Sequence, residues 1–228
     1  MNLFIIGDVH GCLHTFRELL THWQPATDYL IQVGDLVDRG RYVPETVELA
    51  RKLSQKHPDT TTFLKGNHEA EMLLHYGPDG PNPDWLGWGG RSTTEQYEAH
   101  PKLLARHLTW LAQRPLLWEN EDVVVSHAGL ADSPHALDPK HPDGLLWRRG
   151  PLKKLDKLQV VGHTPTDDQP YFDVETNTLY IDTGAYQECS LTGVRLSPTG
   201  EVLDMIQVPT YEEDLFAKPR FSRIKPAQ

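Results

Sequence analysis

The chain has 228 residues, a formal net charge of −10, 24% charged and 38% hydrophobic side chains, which suits one sizeable core. An acidic surplus argues against nucleic acid as the main partner, because phosphate backbones are held by Lys and Arg, although a local basic site for one phosphate stays open. No apolar run approaches the ~20 residues of a membrane span, Leu3–Ile6 is too short for a secretory apolar region, and Cys12 and Cys189 imply no disulfide framework. The expectation is a cytoplasmic protein without membrane contact.

Leu3 to Ile6 reads as an apolar strand ending in Gly7-Asp8-Val9-His10-Gly11, followed by a helical stretch from about Leu13 to Trp23. Tyr29 to Val33 is a second strand. It ends in Gly34-Asp35-Leu36-Val37-Asp38-Arg39-Gly40, ahead of a helix from Val43 to Lys56 with Pro44 in its first turn. Thr61 to Leu64 is a third, ending in Gly66-Asn67-His68-Glu69 before a helix to about His75. Three βα units in succession predict a parallel sheet with helices packed on it. Ligands bind at the carboxyl ends of such strands.

Residues 77–91 break the pattern with prolines and glycines, which predict a long irregular loop carrying Trp85 and Trp88, either a lid over the sheet edge or a packed connection. Residues 92–113 read as helical, with Leu104, His107, Leu108 and Leu111 on one face and Pro101 starting a second helix. Short strands follow at Leu116–Trp118 and Asp122–Ser126, then an irregular stretch from Leu130 to Asp143. The chain next reaches Val160-Val161-Gly162-His163-Thr164. From Tyr171 on, short strands at Thr178–Asp182, Ser190–Leu196 and Val202–Val208 predict an antiparallel meander forming a second sheet. Residues 1–208 are expected to form one domain and 209–228 a tail.

The strand ends collect Asp8, His10, Asp35, Asn67, His127 and His163: two carboxylates, one amide and three imidazoles. This thiol-free mixture suits Mn, Fe or Zn in a reactive site rather than a structural zinc cage. Two divalent ions ~3.5–4 Å apart would share a carboxylate and a water acidified enough to attack phosphorus in line. A single Asp-x-His is as readily a cap beside a core histidine. Five such strand ends in one chain are harder to explain that way.

Gly7–Gly11, Gly34–Gly40 and Gly66–Glu69 resemble the three leading motifs of the calcineurin-like metallophosphoesterases, and more narrowly of the phosphoprotein phosphatases. His127-Ala128-Gly129 and Gly162-His163-Thr164 match later metal motifs, and Asp182-Thr183-Gly184 one near the end of bacterial and phage members. The resemblance implies an α/β fold with a two-sheet β-sandwich core flanked by helices. It implies that Asp8 and His10 hold one metal, Asp35 bridges, and Asn67, His127 and His163 hold the other, with manganese the first choice. His68 would protonate the leaving oxygen, Asp38 orient it, and Arg39 bind phosphate. The family spacing Trp-x-Arg points to Arg149 as a second phosphate ligand over the adjacent Arg148. The implied substrates are phosphoserine or phosphothreonine proteins, with phosphotyrosine a further option. The alternative is a symmetrical bis(5′-nucleosyl)-tetraphosphatase. Asp38 before Arg39 and the short span from His127 to His163 favour the phosphatase.

Several residues carry plainer readings. Glu69 reads as structural, Asp182 as either a site neighbour or a turn residue, and Tyr186 as a core tyrosine ahead of a residue lining the pocket. Cys189 and Arg195 have the spacing of cysteine-dependent tyrosine phosphatases, but the residues between them read as a strand rather than a phosphate loop opening onto a helix. Cys12 reads as a small packed residue, and the eight histidines outside the motifs are assigned no role.

Overall fold

The computed structural model describes residues 1–216; of the expected tail, 217–228 lie outside the described residues. The first half alternates strand and helix: β1 (Asn2–Ile6), α1 (Leu13–Leu20), β2 (Asp28–Gln32), α2 (Val43–Lys56), β3 (Thr61–Phe63) and α3 (Asn67–His75). β1 pairs parallel with β2 and β2 with β3, Ile5 opposite Ile31 and Ile31 opposite Thr62. β1 from Leu3 to Ile6 and the middle of β2 are apolar on both faces, as strands covered on both sides tend to be. Leu3, Ile5, Ile31 and Val33 pack against the second sheet, whereas Phe4, Ile6 and Leu30 pack under the helices. Helix α2 buries Val43, Val47 and Ala50, spaced as one helical face.

Residues 77–91 are more ordered than their prolines and glycines suggest. Asn82 caps a single turn, α4 (Pro83–Trp85), by accepting the Trp85 N–H; residues Leu86–Gly90, kinked at Gly89 (φ 127°), lead into α5 (Arg91–Tyr97) and then α6 (Pro101–Ala112). Pro83 and Pro101 each start a helix, where a missing N–H costs nothing. Trp85 is fully buried, so this segment is a wall of the molecule and not an irregular loop.

The remaining strands are β4 (Leu117–Glu119), β5 (Val123–Ser126), β6 (Leu158–Val161), β7 (Tyr171–Asp173), β8 (Thr178–Tyr180), β9 (Ser190–Leu196) and β10 (Val202–Pro209). They do not form the expected single meander. The second sheet runs β4-β5-β6-β8-β7, with β5, β6 and β8 parallel, and the first runs β10-β9-β1-β2-β3. A short 3-10 turn, Ala185–Gln187, flanked by left-handed Gly184 and Glu188, carries the chain from one sheet to the other. Turn signals mark where a strand stops, not which neighbour it joins. β9 is buried along nearly its whole length, which suits a place between β10 and β1. The result is the expected sandwich, with an apolar layer between the sheets and helices over the outer face of the first. After β10, the buried Asp214 accepts the N–H groups of His14 and Thr15, tying residues 209–216 to the start of α1.

Candidate active site

Six parallel strands end at one edge of the sandwich, and each delivers chemistry there. β1 leads to Asp8 and His10, β2 to Asp35, Asp38 and Arg39, and β3 to Asn67 and His68. β5 leads to His127, β6 to His163 and β8 to Asp182. The backbone pays for this convergence: His10 (φ 47°), Asp35 (59°), Asp38 (72°), Arg39 (67°) and His163 (66°) all sit in the left-handed region. Such residues cost roughly 1–3 kcal/mol each and persist only where their surroundings hold them. Glu69 supplies much of that hold. Its carboxylate accepts the N–H groups of Gly66 (2.8 Å), Asp35 (2.8 Å), Leu36 (2.7 Å) and Val37 (3.1 Å), clamping the second motif to the start of α3.

The ligand atoms of Asp8, Asp35 and His127, and those of His10, Asp35 and His68, lie within 4.8 Å of one another, and all these residues are buried. Hydrogen bonds fix which ring nitrogens are free. His10 donates from Nδ1 to the Val37 carbonyl (2.8 Å) and His127 from Nδ1 to the Val33 carbonyl (3.1 Å). With Nδ1 so engaged, each ring turns Nε2 inward, His10 at 3.5 Å and His127 at 3.4 Å from Asp35 Oδ2. Lone pairs aimed at a carboxylate call for a cation between them, and a backbone acceptor on the far nitrogen is the usual support for a metal-binding histidine. His127 Nε2 (2.8 Å) and His163 Nδ1 (3.0 Å) also converge on Asn67 Oδ1. Asp8 Oδ1, Asp182 Oδ2 and His163 Nε2 are buried without a hydrogen-bond partner. Close packing frames the same atoms: a Cβ at Gly162 would collide with Asp8 Oδ1, and one at Gly66 with Asp35 Oδ1. The donor set fits two divalent cations sharing Asp35.

The electrostatics agree. Burial, with the charges of Asp182 and Asp35, pushes the Asp8 carboxyl well above the usual range, and burial lifts Asp182 to about 6. Burial, reinforced by Arg39, holds His10 well below the ordinary imidazole range; burial and His127 bring His163 down to about 3. An imidazole kept neutral already offers its lone pair to a divalent ion, and a carboxyl kept protonated by burial and neighbouring charge gives up its proton when an ion binds.

Beside this cluster, His68 Nδ1 donates to Asp38 Oδ2 at 2.6 Å. Arg39 donates from its two terminal nitrogens to His10 Nε2 and His68 Nε2, both at 2.9 Å, so its fork faces the cluster. Tyr186 lies against that guanidinium, with its ring centroid 4.1 Å from Arg39 Cζ and 5.0 Å from the His10 ring. It is a half-buried wall of the site rather than a core tyrosine. Arg148 is committed to Asp143 (2.7 Å) and the Pro151 carbonyl, while Arg149 is exposed and its charge reaches His163.

All ten residues singled out from the sequence thus lie at this edge or beside it. Trp85 and Thr93, which also bond Asp38, carry no motif, and the clustering of Trp and Gly around 85–90 is the hint to that segment; for Tyr186 the hint is its place just after Asp182, and the pocket-lining alternative is the one the geometry favours. The Cys189–Arg195 stretch leaves the site in strand β9. Arg195 there pairs with Asp28 and Asp204, and burial raises the Cys189 thiol, so this is no phosphate loop. Burial also raises the Cys12 thiol well above its usual value.

The family model described as calcineurin-like phosphoesterase matches residues 1–190. Serine/threonine-protein phosphatase 2 of Escherichia coli is 30% identical, over 81% of this chain and 88% of its own length. The asymmetrical bis(5′-nucleosyl)-tetraphosphatase PrpE of Bacillus mycoides is 28% identical, over 92% of this chain and 95% of its own length. A solved serine/threonine phosphatase from Saccharomyces cerevisiae shares the fold, with a TM-score of 0.65 at 19% identity over 93% of this chain and 81% of that one.

Proposed function

This chain belongs to the calcineurin-like phosphoesterase family, and from that premise we propose that it hydrolyses phosphoserine and phosphothreonine monoesters in proteins. The observation that carries this choice is the buried His68–Asp38 pair at 2.6 Å. A serine or threonine alkoxide is a poor leaving group, and a positioned imidazole acid is worth roughly 10²–10⁴-fold to its departure. A nucleoside diphosphate leaves readily by itself and gains little from such an acid.

In this reading Asp8, His10 and Asp35 would hold one divalent ion, and Asp35, Asn67, His127 and His163 the second. Such ions, with Mn²⁺ the first candidate, would supply an acidified water and offset the charge of the phosphate. The fork of Arg39 turns from the ring nitrogens to two phosphate oxygens, and exposed Arg149 takes a third from the opposite wall. Tyr186 limits the swing of Arg39. His68 passes its Nε2 proton to the leaving oxygen as the P–O bond breaks, and keeps its Nδ1 proton on Asp38. The substrates are cytoplasmic phosphoproteins; among the described residues no helix is long and apolar enough to cross a membrane.

A second reading rests on a separate observation. Trp88 is 46% exposed, and its ring meets that of Trp147 at 6.1 Å, two residues from Arg149. An exposed indole there suits a stacked base, and with it a dinucleoside tetraphosphate. The test is to strip the protein with chelator, restore Mn²⁺ and time hydrolysis of a phosphoserine peptide beside diadenosine tetraphosphate. Metal-dependent phosphate release from the peptide is expected. Preferential cleavage of the dinucleotide would replace the first reading with the second.

A further inference from the structure

Asp38 is bonded more completely than a carboxylate needs to be to orient one imidazole. Oδ2 accepts from His68 Nδ1 (2.6 Å) and from Trp85 Nε1 (2.7 Å), and Oδ1 accepts from Thr93 Oγ1 (2.6 Å). All four residues are buried. Trp85 and Thr93 come from the wall formed by α4 and α5, 47 and 55 residues along the chain from Asp38.

The two donors are aimed. Hydroxyls on a helix usually bond a carbonyl of their own preceding turn. Ser92 does so with the Gly89 carbonyl (2.9 Å) and Thr94 with the Arg91 carbonyl (2.7 Å), whereas Thr93, between them, reaches across to Asp38. Trp85 is set by its own turn, its N–H donating to the Asn82 side-chain carbonyl (3.3 Å). Torsion about the Cβ–Cγ bond of an aspartate is soft, so one hydrogen bond to His68 leaves the carboxylate plane free to turn. Donors on both oxygens remove that freedom.

We propose that Trp85 and Thr93 are positioning residues for proton donation. By fixing the plane of the Asp38 carboxylate they fix the His68 ring, and so the place where its Nε2 proton meets the leaving oxygen. The assignment rests on His68 acting as the acid. It gives the 82–97 segment a part in the chemistry, acting through Asp38.

The test compares Thr93→Val, Thr93→Ser and Trp85→Phe in the Mn²⁺-loaded protein, on a phosphoserine peptide and on p-nitrophenyl phosphate, whose leaving group needs no acid. Thr93→Val and Trp85→Phe should lower kcat on the peptide about 10-fold, part of the roughly 10²–10⁴ that a positioned acid supplies, with KM and the aryl rate within about 2-fold. Thr93→Ser should restore the peptide rate. Placed on Asp38→Asn, neither change should cost anything further, because both act through that carboxylate. Equal losses on both substrates, no loss on either, or full additivity with Asp38→Asn would overturn the proposal. Valine matches threonine in shape and lacks only its hydroxyl, whereas serine keeps the hydroxyl and lacks the methyl, so the two variants at position 93 carry the test even if Trp85→Phe folds poorly. Wild-type protein that hydrolyses neither substrate would sink the phosphatase reading itself, and the positioning role with it.

Discussion

The imidazole of His68 is pulled two ways. Burial disfavours its charged form, while the charges of Asp35 and Asp38 and the hydrogen bond it donates to Asp38 favour it, and the carboxylates win: the ring is more basic than usual. An acid of that kind holds its proton until the leaving oxygen needs it. His68→Asn should therefore slow a phosphoserine peptide by roughly 10²–10⁴-fold and an activated aryl phosphate far less, with metal content unchanged by elemental analysis. Equal loss on the two substrates would remove His68 from that role. Individual residues such as these were legible in the sequence because each stands within a few positions of a strand end, where type and spacing already imply the chemistry. Trp85, Thr93 and Tyr186 were less so, because no motif fixes which group each of them meets. Trp85 and Thr93 reach Asp38 only once α4 and α5 have packed, and Tyr186 reaches Arg39 only through the crossing from β8 to β9.

Between strand and helix, the turns are what make the site, and Glu69 shows how dependent they are on one side chain. Glu69→Ala would strand four buried N–H groups, at about 1–3 kcal/mol for each left unsatisfied. A loss of at least ~3 kcal/mol is expected, read as a lower urea midpoint with an unchanged slope; a midpoint within error of wild type would show that the turns hold without it. The helices were legible from their periodicity and from Pro44 and Pro101, and the parallel strands from their apolar runs. The assignment of β9 and β10 to the first sheet was not, since pairing with β1 across about 190 residues leaves no local trace. The α2–α5–α6 layer carries a titration of its own. His107, fully buried, stands between the Tyr97 hydroxyl (2.7 Å) and Glu48 (2.9 Å), and burial lowers its affinity for a proton despite Glu48. Its folded pKa lies below the ordinary value of about 6.5, so the unfolded chain takes up that proton first as pH falls. The stability it contributes is complete above about pH 6.5 and drains away below it. His107→Gln should flatten that part of the stability–pH curve relative to wild type; parallel curves would exclude the contribution.

At the scale of the whole molecule the candidate metal centre lies across the seam of the sandwich. Asp8, His10, Asp35 and Asn67 come from the first sheet and its turns, His127 and His163 from the second. Over most of the seam the sheets meet through an apolar layer of residues such as Ile5, Ile31, Val125 and Val160. At the carboxyl edge they meet through polar groups instead: the His163 N–H donates to Asp8 (3.0 Å), and His127 reaches back to Val33. Asp8, Asp35 and Asp182 repel one another there, and part of the apolar gain offsets that repulsion. Cations bound by both sheets would turn this repulsion into attraction, and a ligand that binds only the folded state stabilises it. One site filled at 100 times its Kd adds about 2.7 kcal/mol. At about 2–4 °C per kcal/mol for a chain of this size, Mn²⁺ should raise the melting temperature of chelator-treated protein by roughly 5–10 °C. Asp35→Asn, which weakens the one carboxylate shared by both ions, should lose most of that increment without losing the fold. A melting temperature indifferent to chelator and Mn²⁺ would mean that the seam is closed by the chain alone, and that these six residues do not hold metal across it.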